Sequence, residues 1–154
     1  MRPEVRAFIG LGANLGDAQA TLDQAMDAIA ALPGCRLAAR SPQYRSAPLE
    51  ASGPDYVNAV VEVATTLSAP ELLQGLMGLE QQAGRERPYR NAPRTLDLDL
   101  LLYGDARMDS PSLTLPHPRM AQRAFVLRPL ADVAPDRVDP ERLRAVADQV
   151  CERR

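Results

Sequence analysis

Apolar residues alternate with other residues at Val5, Ala7, Ile9 and Leu11, which predicts a first strand. The stretch Gly10-Leu11-Gly12-Ala13-Asn14-Leu15-Gly16-Asp17 reads as a tight connection into a helix starting near Asp17. Leu22, Met26, Ile29 and Leu32 keep helical spacing, and Pro33-Gly34 ends the run. Residues 36–44 read as a weaker strand broken by Pro42, followed by a loop over residues 46–54. Period two returns at residues 56–65. Val57, Ala59, Val61 and Val63 line one face, and Tyr56, Asn58, Val60 and Glu62 line the other. Ser68 and Glu71 match a capping box. The helix they open carries Leu72, Leu73, Leu76 and Leu79 and ends near Gly84. Residues 85–94 form a loop with Pro88 and Pro93, and residues 95–103 give the strongest strand. Gly104-Asp105 predicts a turn, with a hairpin into Arg107 and Met108. Beyond Pro116-His117-Pro118 come a short apolar piece at residues 125–130 and a last helix capped by Asp139-Pro140.

Strand, helix, strand, strand, helix, strand is the βαββαβ order of a ferredoxin-like α+β unit. It predicts a sheet with antiparallel pairs, two helices on one face and the other face open to a ligand. A chain of 154 residues fits one domain, expected to span residues 1–154.

Composition narrows the chemistry. No apolar run is long enough to span a bilayer, and the first residues lack the apolar core of a signal peptide. A net charge of −2 gives no bulk attraction to nucleic acid. Cys35 and Cys151 stand outside any metal spacing and read as inert, so a cytoplasmic location is the default expectation. All 18 basic residues are arginine. Without lysine, a Walker-type phosphate loop and Schiff-base catalysis are both excluded. Anions must be held by arginine, backbone N–H groups or metal.

Asp97 and Asp99 share a strand face, while Leu96, Leu98 and Leu100 point into the core. Two neighbouring carboxylates repel and are costly to desolvate, and a hard cation relieves both problems. Mg²⁺ characteristically takes one or two carboxylates and completes its shell with water and phosphate oxygens. The competing reading is a solvated edge strand, which the flanking Leu100-Leu101-Leu102-Tyr103 disfavours. Arg85, Arg87, Arg90 and Arg94 directly precede the pair, and guanidinium groups grip phosphate in bidentate fashion. Cations beside an anionic metal site suggest a polyphosphate between them. Taken alone, Tyr56 reads as packing, Asn58 as a polar strand residue and His117 as an incidental loop histidine.

In order along the chain, these segments resemble the 6-hydroxymethyl-7,8-dihydropterin pyrophosphokinase family. The specific match is Gly84-Arg85-x-Arg87 followed by Pro93-Arg94-Thr95-Leu96-Asp97-Leu98-Asp99-Leu100. Gly10 to Gly16, Tyr44-Arg45-Ser46-Ala47-Pro48-Leu49, Pro54-Asp55-Tyr56-Val57-Asn58-Ala59 and Leu115-Pro116-His117-Pro118-Arg119-Met120 add to it. The resemblance implies a three-layer α/β/α sandwich with C-terminal additions. It implies transfer of the β,γ-diphosphoryl group of ATP to the pterin hydroxymethyl oxygen, with release of AMP. It implies two Mg²⁺ on Asp97 and Asp99, and charge stabilisation by Arg85 and Arg94, with Asp99 a candidate general base. Arg87, His117 and Arg123 would hold ATP, with Glu80, Leu100 and Thr114 near the nucleotide. Tyr56 and Phe125 would sandwich the pterin, Asn58 would bond its edge, and backbone around Ser46, Ala47 and Leu49 would read the rest. ATP and the dihydropterin are the expected partners of a monomer, with no nucleic acid or membrane. Asn91-Ala92 stand where many relatives carry Trp-Gly. Two alternatives use other chemistry: a metal-dependent nucleotidyl transferase or cyclase with the same Asp pair, and a ligand- or RNA-binding module without catalysis.

Overall fold

Strand β1, Val5–Ala13, is the spine of the molecule. The structure is a computed structural model that describes residues 3–14, 17–47, 55–84 and 96–153. After β1 come α1 (Ala18–Ala30), β2 (Cys35–Arg40), β3 (Tyr44–Ser46), β4 (Tyr56–Thr65), α2 (Ala69–Gly84) and β5 (Asp97–Tyr103). The C-terminal part adds β6 (Met108–Asp109), β7 (Thr114–Leu115), α3 (Ala124–Val133), α4 (Pro140–Ala145) and β8 (Cys151–Arg153).

β1 pairs antiparallel with β4 on one side and β5 on the other. The sheet runs β5-β1-β4-β3-β8, with β2 also on β4. Pro42, which has no N–H to donate, lies between β2 and β3, and both segments pair with β4. Capping matches the sequence pattern. Asp17 accepts from Ala20 N–H at 3.1 Å, and Asp139 accepts from Glu141 N–H at 2.9 Å. Ser68 and Glu71 exchange hydrogen bonds as a capping box.

Alternation along the strands divides the apolar residues between two cores. Ile9, Leu11, Val61, Val63, Leu98 and Leu100 meet Leu22, Met26, Ile29, Leu72 and Leu76 from α1 and α2. Phe8, Val60, Leu101 and Leu102 meet Val126, Leu127 and Leu130 from α3. Each fully buried leucine, isoleucine or methionine contributes about 1.5–3 kcal/mol. Leu101 and Leu102 join the same core because the β1–β5 register slips between Phe8 and Ile9. This bulge breaks the alternation, which explains three consecutive buried leucines. Gly10 lies beside the bulge; a Cβ there would stand 3.4 Å from the Leu101 side chain.

Several expectations change. The apolar piece at residues 125–130 belongs to helix α3, which packs on the face expected to be open. Its 3.6-residue period is too short-lived in sequence to distinguish from a buried strand. The hairpin lies between β6 and β7, later than the Gly104 turn. Gly10 and Gly12 belong to β1 itself, so the glycine-rich connection begins later than read. β5 does lie at the sheet edge, against the sequence reading. Its apolar side is buried beneath α2, and a side chain of α2 accepts from the Leu98 N–H of the strand.

Candidate active site

Period two sets the floor of the site. Gly10 and Gly12 on β1, Asn58 on β4, and Asp97 and Asp99 on β5 share the sheet face opposite α1 and α2. Ser46 and Ala47 close one end, and Arg123 and Phe125 at the start of α3 close the top. Together with Tyr56 and Glu80 these residues line a cavity of about 500 Å³. A second space of about 230 Å³ holds Leu100, Thr114 and His117. Leu73, Leu98 and Asp99 line both, so one carboxylate stands on the wall the two spaces share.

Asn58 is buried, and its Nδ2 donates to Ser46 Oγ at 2.7 Å. That bond uses one of the two N–H donors of the amide. A Cβ at position 12 would sit 3.2 Å from the acceptor Oδ1, so glycine there leaves that side of the oxygen clear. Sequence reasoning treated Gly12 as part of a turn, although its period-two relation to Gly10 on β1 carried the signal. Arg123 and Phe125 form one unit, the guanidinium carbon lying 5.4 Å from the ring centroid. This geometry suits a cation–π contact.

Glu80 reaches from α2 to β5, where Oε2 accepts from Leu98 N–H at 2.8 Å. The bonded residue lies between Asp97 and Asp99, so the carboxylate fixes the backbone that carries the pair. His117 Nδ1 accepts from Arg119 N–H at 3.2 Å, and its Nε2 is 3.9 Å from Asp99 Oδ1. With Nδ1 accepting, a neutral ring carries its hydrogen on Nε2, toward Asp99. Burial is the main influence on the His117 pKa and holds it below the ordinary histidine range; Asp99 pulls it up, and Arg123 and Arg119 push it down.

Among the described residues no group of three or more His, Cys, Asp or Glu side chains forms a metal cage. The donor set is a pair of hard carboxylates, Asp97 exposed and Asp99 half-exposed, at the rim of an open cavity. Such a pair fits Mg²⁺ that takes its remaining ligands from water and substrate, and fits a structural metal poorly. Of the residues singled out in sequence, Ser46, Ala47, Tyr56, Asn58, Glu80, Asp97, Asp99, Arg123 and Phe125 meet at the larger cavity. Leu100, Thr114 and His117 meet at the smaller. Leu49, Arg85, Arg87 and Arg94 lie outside the described residues.

Two adjoining spaces with a shared carboxylate wall suit a transfer between two ligands. Comparison with known proteins makes the class specific. The sequence model of the 7,8-dihydro-6-hydroxymethylpterin-pyrophosphokinase (HPPK) family matches residues 8–135. A 2-amino-4-hydroxy-6-hydroxymethyldihydropteridine pyrophosphokinase of Synechocystis sp. is 46% identical over 134 residues, covering 87% of this chain and 69% of that protein. Its counterpart in Pseudomonas aeruginosa is 47% identical over 132 residues, covering 85% and 82%. The folic acid synthesis protein fol1 of Schizosaccharomyces pombe is 35% identical over 135 residues, covering 87% of this chain and 18% of that protein. A Plasmodium falciparum HPPK-DHPS structure with pterin and p-hydroxybenzoate superposes with a TM-score of 0.69 at 12% identity, which speaks for the fold alone. This chain covers 40% of that structure and is itself covered to 88%. The chain belongs to the 7,8-dihydro-6-hydroxymethylpterin-pyrophosphokinase family. Its activity is that of a pyrophosphokinase acting on the hydroxymethyl dihydropterin in folate synthesis.

Proposed function

We propose that the larger cavity takes the dihydropterin and the smaller space, with the rim between them, takes ATP. The observation that carries this reading is the position of Asp99 on the wall common to both. Tyr56 and Phe125 enclose the pterin ring, and Asn58 Oδ1, with its donor end tied to Ser46, accepts from the ring's N–H edge. Backbone around Ser46, Ala47 and Leu49 completes pterin recognition. Glu80, Leu100, Thr114, His117 and Arg123 surround the nucleotide, and Arg85, Arg87 and Arg94 grip its phosphates.

Asp97 and Asp99 are the residues that hold Mg²⁺, read as two ions, which supply charge neutralisation on the triphosphate. The hydroxymethyl oxygen attacks the β-phosphorus of ATP in line. The bond between that phosphorus and the α,β-bridging oxygen breaks, and AMP leaves with the bridging oxygen. Asp99 is the candidate acceptor of the hydroxyl proton. Arg85 and Arg94 stabilise the charge on the transferring group. His117, neutral with its hydrogen on Nε2, serves as a donor toward the phosphates without adding a buried charge.

The layering is read as a ferredoxin-like α/β/α sandwich with C-terminal additions. The unit β1-α1-β2-β4-α2-β5 places its strands in the spatial order β5-β1-β4-β2, which supports that reading. Residues 1–154 are read as a single domain acting as a cytoplasmic monomer. The test of function is incubation with ATP, Mg²⁺ and 6-hydroxymethyl-7,8-dihydropterin. AMP and the pterin diphosphate are expected in equal amounts; ADP, or AMP release independent of pterin, would overturn the reaction. A nucleotidyl transferase would instead leave the nucleoside monophosphate on the acceptor.

A further inference from the structure

Arg123 connects a 3₁₀ turn at Met120–Gln122 to helix α3, whose first residues are Ala124 and Phe125. Arg123 occupies the N-cap position with extended backbone, φ −128° and ψ 114°, and offers no side-chain cap. The first N–H groups of any helix lack intrahelical partners. Here Ala124 N–H donates to Gln149 Oε1 at 2.9 Å. The other end of the same amide, Gln149 Nε2, donates to Gln122 O at 2.9 Å. One side chain therefore bridges the backbone on both sides of Arg123, and its acceptor end holds the residue between Arg123 and Phe125.

Gln149 itself lines neither substrate space. It lies past residue 135, where the family match ends. Its own position is fixed from behind. β8 begins two residues on and pairs with β3, setting Cys151 opposite Ser46. Arg128 Nη1 of α3 donates to Cys151 O at 2.5 Å. The tail is thus anchored to a strand that ends in the site and to the helix that roofs it.

We propose that Gln149 is a positioning residue for both substrates, acting through the backbone of Gln122 and Ala124 to aim Arg123 at the nucleotide and Phe125 at the pterin. The inference rests on the roles given to Arg123 and Phe125 above. An ordinary helix cap would stabilise α3 without touching ligand affinity, so the two roles separate by experiment. Gln149→Met keeps length and apolar packing and removes both hydrogen bonds. Binding is measured by fluorescence or calorimetry with 6-hydroxymethylpterin and with α,β-methylene ATP plus Mg²⁺. Losing hydrogen bonds of this kind is expected to weaken each ligand about three- to tenfold. Gln149→Glu keeps an acceptor for Ala124 N–H, and at least half of that loss is expected to be recovered. Both affinities within twofold of wild type in Gln149→Met, with only the melting temperature lowered, would overturn the proposal. If Gln149→Met does not fold, Gln149→Ala, which also removes both bonds, carries the test: weaker binding of both ligands supports it, and binding of both within twofold of wild type overturns it. Phe125→Ala and Arg123→Ala serve as references. If neither changes its own ligand's affinity, the underlying role assignment fails and the proposal falls with it. If both do and the Gln149 variants do not, only the positioning role falls.

Discussion

The two sides of the site are held in different ways. Asp97 and Asp99 stand on a seven-residue strand whose register is set by pairing along β1. Glu80 adds one bond to the outer edge of that strand, at Leu98. Arg123 and Phe125 stand at the N-terminal end of α3, outside the sheet, where Gln149 supplies bonds on both sides of Arg123. The difference fits the roles proposed for each side. Carboxylates that share cations with a transferring group work only at a fixed separation, which a sheet provides. Residues that cover a flat ring and a nucleotide tolerate small shifts, and a helix end tied by one amide is enough.

Breaking the strand side at its chemistry gives the largest effect. Asp97→Ala and Asp99→Ala are each expected to lower turnover by about 10³-fold or more while the thermal melt stays within a few degrees, because removing one of two like charges does not cost the apo fold. Near-wild-type AMP release in either variant would refute their role. On the turn side, Phe125→Ala is expected to weaken pterin binding by about 10- to 100-fold, the range of aromatic stacking, with nucleotide binding changed far less. Equal loss for both ligands would mean the turn had collapsed and the sides are not separable. Next comes the support of the strand. Glu80→Leu removes the acceptor at Leu98 N–H and is expected to lower kcat about tenfold, whereas Glu80→Gln keeps an acceptor and most of the rate. If Glu80→Gln is as poor as Glu80→Leu, the charge of Glu80 acts on the nucleotide directly.

The smallest effect tests the frame beneath the turn. Tyr44 on β3 donates its hydroxyl to Asp132 of α3, and Arg128 lies 5.5 Å from its ring centroid. Burial first, and then the hydrogen bond and charge of Asp132, push its pKa up to about 12. The folded state thus holds this proton more tightly than the unfolded chain does. The stabilisation is complete below the ordinary tyrosine pKa of about 10 and is lost as pH rises through the folded value. The melting temperature is expected to fall between about pH 10 and pH 12. Tyr44→Phe should flatten that fall, and an unchanged slope would detach Tyr44 from it.

Much of this was legible in the chain. Period two named the site-face residues Tyr56, Asn58, Asp97 and Asp99, and capping residues at Ser68 and Asp139 marked helix starts. The ordered motif match supplied roles that spacing alone left open for Tyr56, Asn58 and His117. Local signals of this kind depend only on neighbours in sequence, so they survive without a fold. Other features did not. The bulge at Leu101 depends on the fit of β5 to β1, and the edge position of β5 depends on which strands pair. Helix α3 was hidden because its apolar run is short enough to read either way. Nothing adjacent to Gln149 hints at Gln122 or Ala124.

The Asp97/Asp99 face and the family were therefore determined by sequence. Tertiary structure decided that Asp99 stands between two spaces, that Glu80 holds the strand and that Gln149 holds the turn. The reason is range. Alternation and capping act over a few residues, whereas these contacts join groups 18 and 25 residues apart that only the completed sheet and its roof bring within hydrogen-bonding distance.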